Sequence, residues 1–101
     1  MSFNQDEFEI LRKIKKNPKA SQRKLALELG FSLGKLNYCL KALQKKGLVK
    51  AENFKKNPKK INYFYILTPT GLATKTRLTV NFMKKKMKEY DELKSEINLS
   101  K

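Results

Sequence analysis

Ser32, Leu33, Gly34, Lys35, Asn37, Tyr38 and Lys41 fall off the apolar stripe drawn by Leu36, Cys39, Leu40 and Leu43. Together they present amide, hydroxyl and ammonium groups along one helical face. An Asn amide matches the donor–acceptor edge of adenine, and a Lys ammonium can reach the acceptors of guanine. Asn37 and Lys35 are therefore candidate base readers, with Tyr38 and Lys41 placed to hold phosphates. Gly34 costs about 1 kcal/mol inside a helix; close approach of backbone to a ligand and a slack first turn explain it equally well. A second set follows at Lys55, Lys56, Asn57, Lys59 and Lys60, a basic loop around Asn57-Pro58 with no core duty. Such a loop suits phosphate, whose recognition is electrostatic and carries no sequence information directly. Ser21, Gln22 and Arg23, which open the helix before the reading face, are expected to support the same contacts.

The 101 residues carry 24 Lys and Arg against 9 Asp and Glu, a formal net charge of +15. Self-repulsion on that scale opposes compactness, so the charge points to a polyanion rather than to the fold. It is unevenly spread. From Arg12 to Lys24 there are seven cations and no acid; from Lys41 to Lys60 there are eight, with only Glu52 between them. After Lys84 the signs mix, with Glu89, Asp91, Glu92 and Glu96 among lysines, as on a solvated helix. Lys13, Lys16 and Lys24 are further candidates for a phosphate-binding strip.

Other chemistries are poorly supplied. There is no histidine, and Cys39 is the single cysteine, which removes an intramolecular disulfide and a Cys-based metal site. Cys39 lies on the buried stripe and is expected to pack rather than sense oxidants. Without a glycine-rich phosphate loop or clustered acids, no enzyme and no cofactor is expected. No apolar run approaches the roughly 18 residues of a membrane span, and no signal-peptide pattern opens the chain. A cytoplasmic protein with no membrane partner is the expectation.

The elements that must hold these residues can be read from periodicity. A first helix runs from about Asn4 to Lys16, with Asn4 capping, Asp6, Glu7 and Glu9 near its positive end, and Phe8, Leu11 and Ile14 inward. Ser21 opens a second helix over Gln22–Leu29, ended by Gly30; Ser32 caps a third over Leu33–Lys46, ended by Gly47. Leu48–Phe54 and Ile61–Thr68 read as two strands. Thr68-Pro69 begins a long helix reaching about Ile97.

Ala26 at a close helix crossing, Gly30 at the turn and Leu36 on the buried side of the next helix have helix-turn-helix spacing. The basic hairpin after the third helix completes the winged order. The expected fold is thus mainly α with a two-stranded β-hairpin, a winged helix-turn-helix over residues 1–68 continued by a C-terminal helix over 69–101. On that last helix Ala73, Thr76, Val80, Met83, Met87, Tyr90, Lys94 and Ile97 step alternately by three and four, a heptad seam. Leu72, Leu78, Phe82 and Leu93 lie off the seam and are expected on the body of the domain. A helix of 30 residues is about 45 Å long, so the seam needs a partner. A second copy, contacting through Thr76, Val80, Met83, Met87, Tyr90 and Ile97, is the economical one. Two copies would set two reading helices one DNA turn apart, on an inverted repeat.

Ser21–Lys50, Glu52–Phe54, Tyr65–Gly71 and Arg77–Lys94 make the sequence resemble the small MarR-like winged-helix regulators associated with exopolysaccharide gene clusters. The resemblance implies a DNA-binding, repressor-like transcriptional regulator acting near polysaccharide genes. Two other readings stay open at the level of sequence: a general nucleic-acid module, which explains the charge but not the helix-turn-helix spacing, and a protein-interaction module on the same scaffold.

Overall fold

The computed structural model describes residues 4–53 and 63–99. Three helices come first: α1 (Gln5–Lys16), α2 (Gln22–Leu29) and α3 (Leu33–Lys45). Strands β1 (Val49–Asn53) and β2 (Tyr63–Leu67) follow, then α4 (Pro69–Leu99).

Each of the first three helices starts on a side-chain cap. The Asn4 carboxamide oxygen accepts from the Glu7 N–H at 2.7 Å, and the Ser21 and Ser32 hydroxyls accept from Lys24 and Lys35 N–H, both at 3.1 Å. Such bonds satisfy N–H groups that the helix itself leaves orphaned. Helices α2 and α3 end alike. Gly30 and Gly47 take φ of 71° and 75°, where a Cβ would be strained. Around them Phe31 N–H reaches the Ala26 carbonyl at 2.9 Å, and Leu48 N–H reaches that of Leu43 at 3.0 Å. These are Schellman closures.

The core is one cluster, with Ile10, Leu11, Ile14, Leu25, Leu36, Leu40 and Leu43 almost wholly buried. Ile10, absent from the expected stripe, is fully hidden because α1 is covered by α2 and α3 on one flank and by β2 and α4 on the other. Ala26 and Leu36 are buried as the helix-turn-helix spacing requires.

β1 and β2 pair antiparallel, with Val49 opposite Leu67 and Asn53 opposite Tyr63. At the ends next to α3 and α4 each strand stops one residue short of the sequence pattern, while the expected ends at Phe54 and Ile61 lie outside the described residues. Leu48 is taken by the α3 closure, and Thr68 caps α4 instead of extending β2. The Thr68 hydroxyl donates to the Gly47 carbonyl at 2.6 Å and accepts from Gly71 N–H at 2.9 Å, while Thr68 N–H donates to the Leu48 carbonyl at 3.0 Å. Gly71 is buried here because α4 crosses the Leu48 backbone so closely that an added Cβ would stand 2.8 Å from its carbonyl carbon.

α4 has 31 residues and gives the molecule a long axis of 67 Å against 26 and 20 Å across. It runs two residues past the expected end at Ile97. Leu78 packs on the core and the Phe82 ring lies 5.7 Å from that of Phe8. Leu72 and Leu93, expected on the body, are instead 41% and 59% exposed. Leu93 lies past Phe82, where the helix has outrun the domain beneath it.

Candidate nucleic-acid interface

The outer face of α3 is open. Leu33 and Tyr38 are 46% and 77% exposed, and Ser32, Gly34, Lys35 and Lys41 are exposed as well. Helical geometry puts Gly34, Tyr38, Lys41 and Lys45 along its centre line, opposite the buried Leu36–Leu40–Leu43 stripe. Asn37 sits half-buried on one edge and Lys35 lies on the other. The most prominent side chain is therefore Tyr38, not Asn37. α4 packs chiefly on α1 and β2, so it leaves this face uncovered.

Lys35 is held from two sides. Its Nζ lies 3.2 Å from the Asp6 carboxylate and 4.1 Å from the centroid of the Phe31 ring. Neither partner was visible as functional in the sequence. Phe31 does carry a local signal, an apolar residue just before the Ser32 cap, facing the position of Leu36. Asp6 carries none, because its partner lies 29 residues away.

The supporting residues of α2 are placed differently from one another. Arg23 is exposed. The Ser21 hydroxyl is engaged by the helix cap, and the Gln22 amide donates to the Tyr65 hydroxyl at 3.2 Å. Gln22 thus ties α2 to the sheet. Beside them Lys16, Asn17, Pro18, Lys19, Ala20, Ser21 and Lys24 line a shallow crevice at the start of α2. Lys13, by contrast, is half-buried and turned to Glu28 at 4.0 Å. The loop residues Lys55, Lys56, Asn57, Lys59 and Lys60 lie outside the described residues.

A pattern emerges from the ion pairs. Every acid between residues 4 and 53 is matched to one cation: Asp6 to Lys35, Glu7 to Lys46, Glu9 to Arg12, Glu28 to Lys13 and Glu52 to Lys50. Among the described residues of that stretch, Lys15, Lys16, Lys19, Arg23, Lys24, Lys41 and Lys45 have no acidic partner. Uncompensated charge is thus concentrated at the end of α1, the start of α2 and the outer face of α3. The Glu7–Lys46 pair, at 2.7 Å, is the most enclosed and pins α1 to the end of α3.

Cys39 is buried on the inner side of α3. Burial, then the nearby Asp6 and Glu7 carboxylates, push its thiol above the ordinary value, while Lys35 pulls weakly the other way. Its place agrees with packing.

Residues 7–50 match the family model described as winged helix-turn-helix DNA-binding. The fold is a winged helix-turn-helix. Solved structures agree. A MarR family transcription regulator, SP03579, superposes with a TM-score of 0.73 at 25% identity, over 83% of this chain and 54% of that one. The transcriptional repressor CouR, bound to a 23-mer DNA duplex, gives 0.68 at 25% identity, over 75% and 52%. FabT of Streptococcus pneumoniae, in complex with DNA, gives 0.71 at 21% identity, over 90% and 62%. The chain therefore spans little more than half the length of these neighbours. No curated protein matches it by sequence. No helix among the described residues is long and apolar enough to cross a membrane.

Proposed function

We propose that the protein is a DNA-binding transcriptional regulator, repressor-like, that grips an inverted repeat as a homodimer. The observation that carries this is the open outer face of α3, where Lys41 and Lys45 have no acidic partner, together with the unpaired Lys16, Lys19, Arg23 and Lys24 from the end of α1 to the start of α2. In this reading α3 enters the major groove, with Tyr38 and Lys41 foremost and Lys35 and Asn37 reading from the edges. Lys16, Lys19, Arg23 and Lys24 neutralise phosphates beside it. The basic loop with Lys55, Lys56, Asn57, Lys59 and Lys60 lies along the backbone or in the minor groove. Residues 1–68 form the DNA-binding part, and 69–101 the helix through which copies associate by Thr76, Val80, Met83, Met87, Tyr90 and Ile97. The two solved neighbours bound to DNA support the first half of this reading; the exposed seam of α4 supports the second. The protein works in the cytoplasm, and the resemblance to exopolysaccharide-associated regulators directs the search for its operator to promoters of polysaccharide genes.

Selection of bound duplexes from a random pool tests it, with affinity then measured across salt concentrations. The expected result is an enriched sequence with two-fold symmetry and an affinity that falls steeply with salt. Equal binding to all duplexes at fixed salt would reduce the protein to a general nucleic-acid module, and salt-insensitive or absent binding would leave a protein-interaction scaffold.

A further inference from the structure

We propose that two copies of α4 pair antiparallel in one register, Met87 of each against the partner's Tyr90, with the two-fold axis between Lys88 and Glu89. The proposal deepens the dimer reading above and rests on it. Val80, Met83, Met87, Tyr90 and Ile97 are 44–64% exposed and share one face of the helix. With Lys94 between the last two, their steps alternate between three and four, as on a helix that meets another helix along a seam.

The charges beside the seam choose the direction. Arg77, Lys84 and Asp91, seven residues apart, lie on one flank; Thr79, Lys86 and Leu93 lie on the other. Parallel helices bring unlike flanks together, and antiparallel helices bring like flanks together. A parallel pair would use Lys86 against the partner's Asp91. Lys86 is already engaged in its own chain, 3.5 Å from Glu89 and with its ammonium 5.4 Å from the centroid of the Phe82 ring. Lys84 and Asp91, on the same flank, have no ion pair among the described residues. They are the two charges that an antiparallel partner can match.

The register follows from the same pair. With Met87 facing the partner's Tyr90, Lys84 falls beside the partner's Asp91, and symmetry makes the contact twice. A slip of one heptad sets Lys84 against the partner's Lys84 in one direction, or Asp91 against the partner's Asp91 in the other. Lys94 also decides against the parallel arrangement, which would stack two ammonium groups inside the seam. Here it faces the partner's Met83, where its methylene stem covers the thioether while its charge stays in water.

The spacing of the two bodies is consistent with the proposed target. α4 is held to its own body from Gly71 to Phe82, and Thr76 marks the middle of that stretch. In this register Thr76 and the partner's Thr76 stand about 25 residues apart along the paired helices, roughly 38 Å at the rise of an α-helix. One turn of B-DNA is about 34–36 Å.

Cross-linking in a Cys39→Ala background tests direction and register. Met83→Cys and Lys94→Cys chains should each fail to form a disulfide dimer alone and should form one when co-expressed. Self-cross-linking of Met83→Cys would overturn the proposal in favour of parallel helices. Charge exchange gives a second readout. Asp91→Lys should raise the dimer dissociation constant about tenfold, and adding Lys84→Glu should restore it. Restoration by Lys86→Glu instead would overturn the antiparallel direction in favour of a parallel pair. Sedimentation of the unaltered chain separates the two levels: a monomer at all concentrations sinks the dimer and the register together, whereas a dimer with the wrong cross-link sinks the register alone.

Discussion

Phe8, Ile10, Leu11 and Ile14 on α1 keep at most 5% of their surface in solvent, whereas Met83, Met87, Tyr90 and Ile97 on α4 keep more than half. Both helices carry a regular apolar stripe. The difference lies in what each is given to pack against. α1 is enclosed by α2, α3, β2 and the start of α4; the arm of α4 beyond Phe82 has outrun its own domain. Charge follows the same division. In the described body up to residue 53 each acid is assigned to a cation, and the cations left over lie at the end of α1, the start of α2 and the outer face of α3. On the arm Lys84 and Asp91 are unassigned. On the proposed reading, the surplus of positive charge on the body is there for DNA, and the open stripe with unmatched charges of both signs is there for a second copy.

The sharpest way to break this comparison is at the junction of the two regions. Gly71→Ala should gain about 1 kcal/mol from helix propensity but forces a Cβ into the Leu48 backbone, which cannot swing aside as a side chain can. The clash should win, costing roughly 3 kcal/mol net in denaturant unfolding. A stabilised variant would show that α4 is seated more loosely than its close approach to the Leu48 backbone implies. Next in size is Glu7→Gln, which leaves the half-enclosed Lys46 ammonium with a neutral partner. A loss of about 1–2 kcal/mol is expected, against less than about 0.5 kcal/mol for Glu52→Gln, whose pair with Lys50 is exposed. Equal losses would deny that the body sorts its ion pairs by burial.

The surplus cations are tested through DNA. Lys19→Ala combined with Lys24→Ala should lower affinity for every duplex and flatten the logarithmic salt slope by about 2. Lys50→Ala, with its cation already spent on Glu52, should change that slope little. If the two behave alike, the separation of paired from unpaired cations has no functional content.

Much of this could be read from the sequence because it depends on neighbours along the chain. Caps at Asn4, Ser21 and Ser32, left-handed glycines at 30 and 47, and the Ala26–Gly30–Leu36 spacing are local signals, and each element they bound lies within about a residue of expectation. What depended on distant contacts was not legible. Burial of Ile10 needs four surrounding elements, and the role of Gly71 needs the Leu48 carbonyl across the turn. The strands shortened because Leu48 and Thr68, plausible strand residues by type, were claimed by the ends of α3 and α4. On the outer face of α3, residue type singled out both Asn37 and Tyr38; that Asn37 is half-buried at the edge while Tyr38 stands exposed depends on how α3 is seated on the core. The pairing of all five acids between residues 4 and 53 could not be seen at all, since three of the five partners lie 15 or more residues away in the chain.

The smallest effect expected is at Asp6, which joins α1 to Lys35 at the edge of the outer face of α3. Asp6→Asn removes one of two restraints on Lys35 and leaves the Phe31 ring beneath its ammonium. The pair is nearly half exposed, so folding stability should change by less than about 0.5 kcal/mol. DNA binding should respond more, because a carboxylate beside the groove repels phosphates and competes for the lysine. Affinity for random duplexes should rise about twofold to fivefold, with a steeper salt slope. Affinity for the preferred site should rise less if Asp6 also aims Lys35 at its base. A uniform rise across all sequences would mean that Asp6 only subtracts charge; a fall on the preferred site would mean that aiming outweighs repulsion.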